Sequence, residues 1–230
     1  LRIHKVKIYK NINKGLRMKR LKNIVKAIFA ILIIIIVVAL VYVAYVFISY
    51  DRIDDKQKLK VNEPKVKNEN VSDEVNTGVE YTIGTYNVGF GAYLPDYSFF
   101  MDGGKYSRCY SKESSAKAIR GAATLSSGYN PDFMMFEEVD RKSTRSYGVN
   151  QENIITDIFD DYYSSFAVNY NSAYLFYPFY KPIGKSYSGI VLYSKFKITD
   201  SLRRSLPIST GFSKFLDLDR CYSISRFKNC

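Results

Sequence analysis

A run without charged side chains over residues 27–50 limits what this chain can fold into more than any other feature of its sequence. At about 1.5 Å per residue, a helix of this length crosses the hydrocarbon core of a bilayer, which is roughly 30 Å thick. A cleaved signal peptide and a buried core helix are the alternatives, but a signal peptide has only about 7–15 apolar residues, followed by a cleavage site. Tyr42, Tyr45 and Tyr50 lie towards one end of the run, as in an interfacial aromatic belt. We therefore predict one uncleaved transmembrane helix over 27–50, with the lipid bilayer as its partner.

Basic charge is concentrated before this run. Of a formal net charge of +12, residues 1–26 carry ten Lys and Arg and no acidic residue. The remaining 24 basic and 22 acidic residues leave +2 over 27–230, so charge alone predicts no polyanionic partner for that part of the chain. Eight basic residues fall within 7–26 and six within 51–70. This bias predicts a single-pass protein with its basic flank, 1–26, in the cytoplasm and its C-terminal domain outside.

Both ends of the sequence look as if they were cut. Leu1 stands where a start methionine is expected, and Met18 opens a compact basic segment directly before the apolar run. A natural start at Met18 is therefore an alternative to a genuine N-terminal extension. The last residues contain no turn or tail signal, so a continuation past Cys230 and an end at Cys230 both stay open.

Composition divides the rest of the chain at about residue 79. Residues 51–78 are rich in Lys, Asn and acidic residues with almost no apolar periodicity, which predicts a stalk. Residues 79–230 contain aromatic and β-branched runs broken by Gly, Pro and Asn, which predicts one globular domain. Their patterns predict helices over 113–125 and after Asn150, and strands over 80–88, 131–139, 162–169, 189–193, 197–202 and 220–227. This order of elements predicts an α+β fold with a mixed sheet.

Two polar residues stand at the ends of predicted strands. Asn87 closes the first strand, and Glu138 closes the second. Strand ends are where α/β sheets place functional groups, and amide and carboxylate oxygens suit Mg²⁺ or Mn²⁺ rather than zinc. The alternatives are a turn after the strand at Asn87 and a solvated acidic strand end at Glu138.

Three segments in this order, YTIGTYNVGFG, PDFMMFEEVD and SGIVLYSKFKI, resemble the first three motifs of the endonuclease/exonuclease/phosphatase superfamily, the DNase I-like phosphodiesterases and phosphatases. The resemblance covers about 79–228 and is nearest to the membrane-anchored bacterial branch. It implies the N-terminal half of a four-layer α/β/β/α sandwich, preceded by one transmembrane helix. It also implies Glu138 and Asn87 as ligands of Mg²⁺ (or Mn²⁺), and Glu137 stands where the family often has Gln.

The function implied by the resemblance is Mg²⁺-dependent hydrolysis of phosphodiesters or phosphomonoesters, with a nucleic acid, a phospholipid or a small molecule as substrate. The family's catalytic His and Asp motifs lie mostly in the second half of its domain, and none of them follows Phe227. The only histidine of the chain, His4, precedes the apolar run. We therefore expect this chain to be inactive, with no catalytic residue to assign and no obligate protein partner. The alternatives are a non-catalytic membrane-anchored binding module on the same fold, and a signalling or envelope protein unrelated to the family.

Two arginines are candidates for contact with a substrate phosphate. Arg145 follows the predicted metal-binding strand, although an exposed loop arginine is the alternative there. The resemblance places Arg220 near the active-site face. Tyr177, Phe179 and Tyr180 lie in a Pro-rich loop, where they form either a rim for substrate or membrane or the packing of the loop itself.

The resemblance also implies two sheets packed face to face, of which residues 79–230 supply the first sheet and its two helices but not the partner sheet. Apolar side chains on the inner face would then lack cover. The candidates for that face are Ile83, Phe133, Met135, Ile190 and Leu192. We expect the isolated domain to be insoluble or molten, because exposed apolar faces and open strand edges associate.

Overall fold

The computed structural model describes residues 2–50, 52–67, 74–208, 211 and 218–228, with the backbone alone over 2–14. The chain divides into two compact units, Leu1–Ile48 and Ser49–Cys230.

The first unit is a single helix, α1, over Arg2–Ile48. Its segment Gly15–Ile48 is long and apolar enough to cross a membrane. Many of its residues are β-branched, but a helix satisfies every backbone hydrogen bond within the segment, which an apolar environment requires. The prediction of a helix that can span a membrane is confirmed, and the helix begins well before residue 27. The orientation across the membrane stays a prediction.

The second unit is built on a five-stranded mixed sheet with the order β2-β5-β6-β4-β3. Its strands are β2 Val61–Asn62, β3 Ile83–Asn87, β4 Phe133–Asp140, β5 Tyr163–Asn171 and β6 Tyr187–Ser194. Strands β3 and β4 pair in parallel, and every other pairing in this sheet is antiparallel. The mixed α+β class predicted from the order of elements is confirmed.

Two helices connect the strands of this sheet. Helix α2, Lys112–Ser127, joins β3 to β4, and helix α3, Gln151–Thr156, joins β4 to β5. Ser111 and Ser114 form a reciprocal capping box at the start of α2. The Asn150 side chain accepts a hydrogen bond from the Asn153 amide at 3.2 Å, as its predicted capping role requires.

The main core lies between this sheet and the two helices. Alternate residues of β4 and β6, including Phe136 and Tyr193, point to the helices and are fully buried. They pack against Ile119 of α2, Ile155 of α3 and Phe159. The apolar side chains at every second position of the strands therefore pack against the apolar side chains at helical spacing in α2, in one core.

A smaller, three-stranded sheet with the order β1-β7-β8 packs on the other face. Its strands are β1 Gln57–Lys58, β7 Ile198–Ser205 and β8 Cys221–Phe227. The two sheets meet where the Ser165 hydroxyl donates to the Ser201 hydroxyl at 2.9 Å. The expectation that residues 79–230 lack a partner sheet is therefore wrong in part, because β7 and β8 leave the first sheet and form most of the second.

The predicted stalk over 51–78 is wrong for the described residues 52–67. Strand β1 pairs with β7, and β2 pairs with β5. Leu59 between them is only 8% exposed, and its amide donates to the Ser201 carbonyl at 2.8 Å. Short edge strands are commonly lysine-rich, since charge protects an open edge from association, and this gives them the composition of a linker.

The inner face of the first sheet is half open. Ile83 is 66% exposed, and Phe133, Met135, Ile190 and Leu192 are partly buried. A groove of about 320 Å³ runs between four of these residues and Phe227 of β8. The four are Ile83, Phe133, Met135 and Leu192. The expectation of incomplete cover agrees with this exposure, while the solubility of the isolated domain stays a prediction.

Candidate functional site

The parallel pairing of β3 with β4 brings the two predicted strand-end residues together. Asn87 lies opposite Glu137 in the ladder, so the ends of the two strands meet at one edge of the sheet. The Asn87 amide nitrogen donates to Glu138 Oε1 at 3.0 Å. Asn87 and Glu138 are thus neighbours because the β3–α2–β4 connection pairs the two strands in parallel, so that both strands end at the same edge of the sheet.

A β-bulge separates the two adjacent carboxylates. Between Phe136 and Val139 the register of β4 against β6 shifts, and Glu138 adopts a left-handed backbone with φ of 56°. A bulge re-aims the side chains next to it. Glu137 accepts a hydrogen bond from the Thr85 hydroxyl at 3.1 Å, whereas Glu138 faces Asn87. The Glu137 carboxylate is therefore hydrogen-bonded within the β3–β4 pair, whereas the Glu138 carboxylate lies at the strand end.

Asn87 is held at both ends of its amide. Its Oδ1 accepts from the Gly89 amide at 2.9 Å, while its nitrogen donates to Glu138. Gly89 has φ of 50°, and a Cβ at this position would clash with the Tyr93 ring. In this arrangement Asn87 orients the Glu138 carboxylate, and its own oxygen is already engaged. The prediction of Asn87 as a direct metal ligand stays untested.

A buried polar network supports the turn that follows Asn87. The Gln151 side chain donates to the Phe90 carbonyl at 2.6 Å and to the Ser115 hydroxyl at 3.0 Å. Its Oε1 accepts from the Asp140 amide at 2.9 Å. One fully buried glutamine therefore connects α2, β4 and the turn Gly89–Gly91. Such a network fixes the loop from which Asn87 takes its orientation.

Two clefts meet at Asn87 and Glu138. The larger, about 870 Å³, continues along α2 past Lys117 and Gly121. The smaller, about 450 Å³, continues towards the second sheet and is lined by Arg220. The structure therefore brings Arg220 to the same cleft as Asn87 and Glu138, as a candidate phosphate contact requires. Its contact with substrate stays a prediction.

Sequence reasoning missed Lys117, which is exposed on the wall of the larger cleft. The residues around it on the same helical face are small. They are Ser114, Ala118, Gly121 and Ala122. A lysine within a stripe of small residues on a helix facing a strand end is a signal that the sequence contains, and it leaves room for a ligand.

Arg145 lies apart from these clefts. It is 8% exposed and forms a two-pronged ion pair with Asp140, with nitrogen to oxygen distances of 2.9 and 3.1 Å. Its guanidinium carbon stands 4.0 Å from the centre of the Phe90 ring. Burial lowers the pKa of Arg145, but the Asp140 carboxylate outweighs burial and the pKa is raised overall. The structure thus gives Arg145 a partner within the core, and its predicted contact with substrate has no geometric support.

Tyr93 adds a phenol to the wall of the larger cleft. Its hydroxyl donates to Asp102 Oδ2 at 3.3 Å. Burial, together with the negative charges of Asp102 and Glu138, raises the pKa of Tyr93 to about 12. The phenol is therefore neutral at physiological pH.

No family model, no curated protein and no solved structure matches this chain. The ligand that suits the two clefts therefore follows from the side chains that line them. Among the residues that the structure describes, no group of three or more His, Cys, Asp or Glu side chains could hold a metal ion. Mg²⁺ is nevertheless bound in many proteins by one or two carboxylates, with water and substrate phosphate completing the shell. A single carboxylate held by an amide, flanked by basic residues, fits that mode of binding.

Proposed function

We propose that the protein is of the membrane-anchored endonuclease/exonuclease/phosphatase type, whose members hydrolyse phosphodiesters or phosphomonoesters, and that its Glu138 binds Mg²⁺ or Mn²⁺. Residues 1–230 alone are inactive in this proposal, because they lack the family's catalytic His and Asp motifs. The observation that carries the proposal is the Glu138 carboxylate, turned out by a bulge and held by Asn87 where two parallel strands end. The three sequence motifs that resemble this superfamily include both residues. The DNase I-like sandwich is part of the same proposal.

The charges around Glu138 support a phosphate as ligand. Lys117 lines the larger of the two clefts that meet at Glu138, and Arg220 lines the smaller. A cation on Glu138 would neutralise part of a phosphate's charge, and the two basic side chains would attract the rest. The hydrogen bond from Asn87 would keep the Glu138 carboxylate oriented towards the cation. In this arrangement Glu138 lies where the cleft lined by Lys117 meets the cleft lined by Arg220.

A second candidate function is a non-catalytic membrane-anchored module that binds phosphate through the same cation. One observation favours it. Hydrolysis needs a group that takes a proton from water. The only histidine of the chain is His4, and among the described residues the clefts contain the two acidic residues Glu137 and Glu138, of which Glu137 is bonded to Thr85. The cation site therefore fits binding as well as it fits catalysis.

Manganese binding separates the site from its alternatives. We expect the full chain in detergent micelles to bind Mn²⁺, measured by the loss of the free-ion electron paramagnetic resonance signal, and inorganic phosphate to tighten that binding. Glu138→Gln should abolish binding, because it removes the charged ligand. Asn87→Ala should weaken it less, because a neutral orienting group contributes less than a carboxylate.

The neighbouring variant Glu137→Gln is the matched control, since it removes an adjacent carboxylate of the same strand and should leave Mn²⁺ binding unchanged. Equal Mn²⁺ affinity in Glu138→Gln and the unchanged chain would exclude the site. Release of p-nitrophenol from bis-p-nitrophenyl phosphate or p-nitrophenyl phosphate, lost in Glu138→Gln, would favour the hydrolase over the binding module. Retention of the protein in membranes after carbonate extraction tests the anchor independently.

A further inference from the structure

A group of apolar and aromatic side chains is exposed on two adjoining loops of the second unit. We refer to Met101, Tyr177, Phe179 and Tyr180 as the aromatic rim. Their exposed fractions are 70%, 63%, 84% and 75%. Large apolar side chains exposed together, rather than singly, mark surfaces that contact a protein or a membrane.

The loops that carry the aromatic rim are held firmly. Phe100, next to Met101, packs on the Tyr177 ring with their centres 5.7 Å apart. The Tyr180 hydroxyl donates to the Lys105 carbonyl at 2.9 Å. Arg108 donates to the Pro182 carbonyl at 2.7 Å. The rings are therefore exposed although their backbone is bonded, so packing within the loop does not account for them.

Basic side chains surround the aromatic rim. Lys105 and Lys185 are exposed, and Lys181 is half-buried with its amine 5.8 Å from the centre of the Tyr147 ring. Asp96 and Asp102 are the acidic residues of the same loops, 88–111 and 172–186. Tyr and Phe with neighbouring Lys are the combination that suits the headgroup region of a bilayer, where rings enter the interface and ammonium groups meet anionic lipids.

The aromatic rim lies beyond one end of the five-stranded sheet, and this position also favours a membrane as its partner. The loop with Tyr177 and Phe179 leaves β5 after Asn171. Near that end of β5, the Val168 carbonyl accepts from Arg203, which also binds the carbonyls of Ile53 and Asp54. The loop and the start of the second unit therefore lie at one end of the five-stranded sheet.

The chain between the two units is short. Four residues separate Ile48, the last residue of α1, from Ile53, whose amide is bonded to Asp219. Even fully extended, this connection reaches only about 18 Å. Under the proposed membrane anchor, this length limits how far Ile53 can lie from the end of the spanning segment.

We propose that the aromatic rim contacts the headgroup interface of the bilayer that α1 crosses, with Lys105, Lys181 and Lys185 binding anionic lipid. The proposal rests on the membrane anchor of the proposed function and is independent of its cation chemistry. It places the two clefts at the membrane surface as well, because β3 and β4 end at the same end of the sheet.

The chain contains no tryptophan, so a single introduced tryptophan reports on one position alone. The test uses Phe179→Trp in the full chain, reconstituted in vesicles of phosphatidylcholine and phosphatidylglycerol with brominated acyl chains. The expected result is a blue-shifted emission that the brominated lipids quench. Tyr129→Trp is the matched control, since Tyr129 is 74% exposed but precedes β4, at the opposite end of the sheet. Its emission should stay unshifted and unquenched.

Each outcome has a defined meaning. Quenching of Phe179→Trp that weakens in Lys105→Glu/Lys185→Glu or without phosphatidylglycerol supports the proposal. Equal emission and quenching at both positions overturns it. A shift that depends on protein concentration and not on bromination also overturns it, and assigns the aromatic rim to a second copy of the chain. Protein that fails to float with the vesicles contradicts the anchor and, with it, the proposal that rests on the anchor, whereas protein that floats but is not quenched at position 179 contradicts the aromatic rim alone.

Discussion

At Glu138 a β-bulge and a left-handed backbone act on one carboxylate. The residue has φ of 56°, a conformation that costs a non-glycine residue about 1–2 kcal/mol. The sheet on both sides of it holds the strand in place: Phe136 pairs with Val191, and Val139 pairs with Gly189. Backbone strain of this kind is retained where the surroundings enforce it, and it is often found at functional sites.

This strain makes a prediction about stability that separates function from folding. Glu138→Gly should unfold with a free energy about 1 kcal/mol higher than Glu138→Ala, because glycine adopts positive φ without a Cβ penalty. Both variants should lose Mn²⁺ binding. Urea denaturation of the two variants in the same detergent gives the comparison. Equal stability of the two would mean that Glu138 does not hold a left-handed backbone.

Part of the site could be predicted from the sequence and part could not. Asn87 and Glu138 each close an apolar run, and parallel strands joined by a helix end at one edge, so their proximity follows from pattern alone. The bulge depends on the register of β4 against β6, which no local property of FMMFEEVD determines. The ion pair of Arg145 with Asp140 was not predicted, because an arginine in a polar segment five residues after an aspartate is typical of an exposed loop.

At the scale of elements, the sequence predicted the strands and helices after residue 79 closely, because their apolar periodicity is strong. It failed on β1 and β2, where only two residues of each strand pair and the flanking residues other than Leu59 are charged. Periodicity cannot be read in two residues. What holds this segment in the fold is instead Arg203, a residue about 150 positions away in the sequence.

Arg203 is a test of that attachment. It is fully buried and donates to the carbonyls of Val168, Ile53, Asp54 and Asp219. Arg203→Lys should lower the free energy of unfolding by about 2–3 kcal/mol, because an ammonium group cannot reach all four oxygens and leaves buried carbonyls unpaired. Trypsin should then cleave more rapidly near Lys56.

The matched control for Arg203 is its neighbour. Arg204 is partly exposed and binds Asp55 at 3.1 Å. Arg204→Lys should change the free energy of unfolding by less than about 1 kcal/mol, as is usual for exposed ion pairs. If the two variants were equally stable and equally resistant to trypsin, the buried arginine would not be what attaches residues 53–54 to the fold.

The whole second unit depends on phenols that are buried in neutral form. Tyr97, Tyr162 and Tyr193 each have a raised pKa, chiefly because burial disfavours the tyrosinate. The Tyr193 hydroxyl also lies 2.8 Å from that of Thr156, so it joins the sheet to α3. The sequence shows that residues 79–230 are rich in aromatic side chains. Composition does not determine which of the tyrosines face the core and which face the solvent.

These phenols predict how stability depends on alkaline pH. The pKa of a tyrosine in the unfolded chain is about 10, and it is higher in the folded unit, where that of Tyr93 is about 12. The folded state therefore binds more protons above pH 10, so stability is full below about pH 10 and falls as pH rises through about 12. Urea denaturation of the full chain in detergent, followed by near-ultraviolet circular dichroism between about pH 8 and 12, measures this loss. Tyr193→Phe should reduce the slope, whereas Tyr129→Phe, at an exposed position, should leave it unchanged. A free energy of unfolding that stays constant up to about pH 12 would contradict the burial of these phenols.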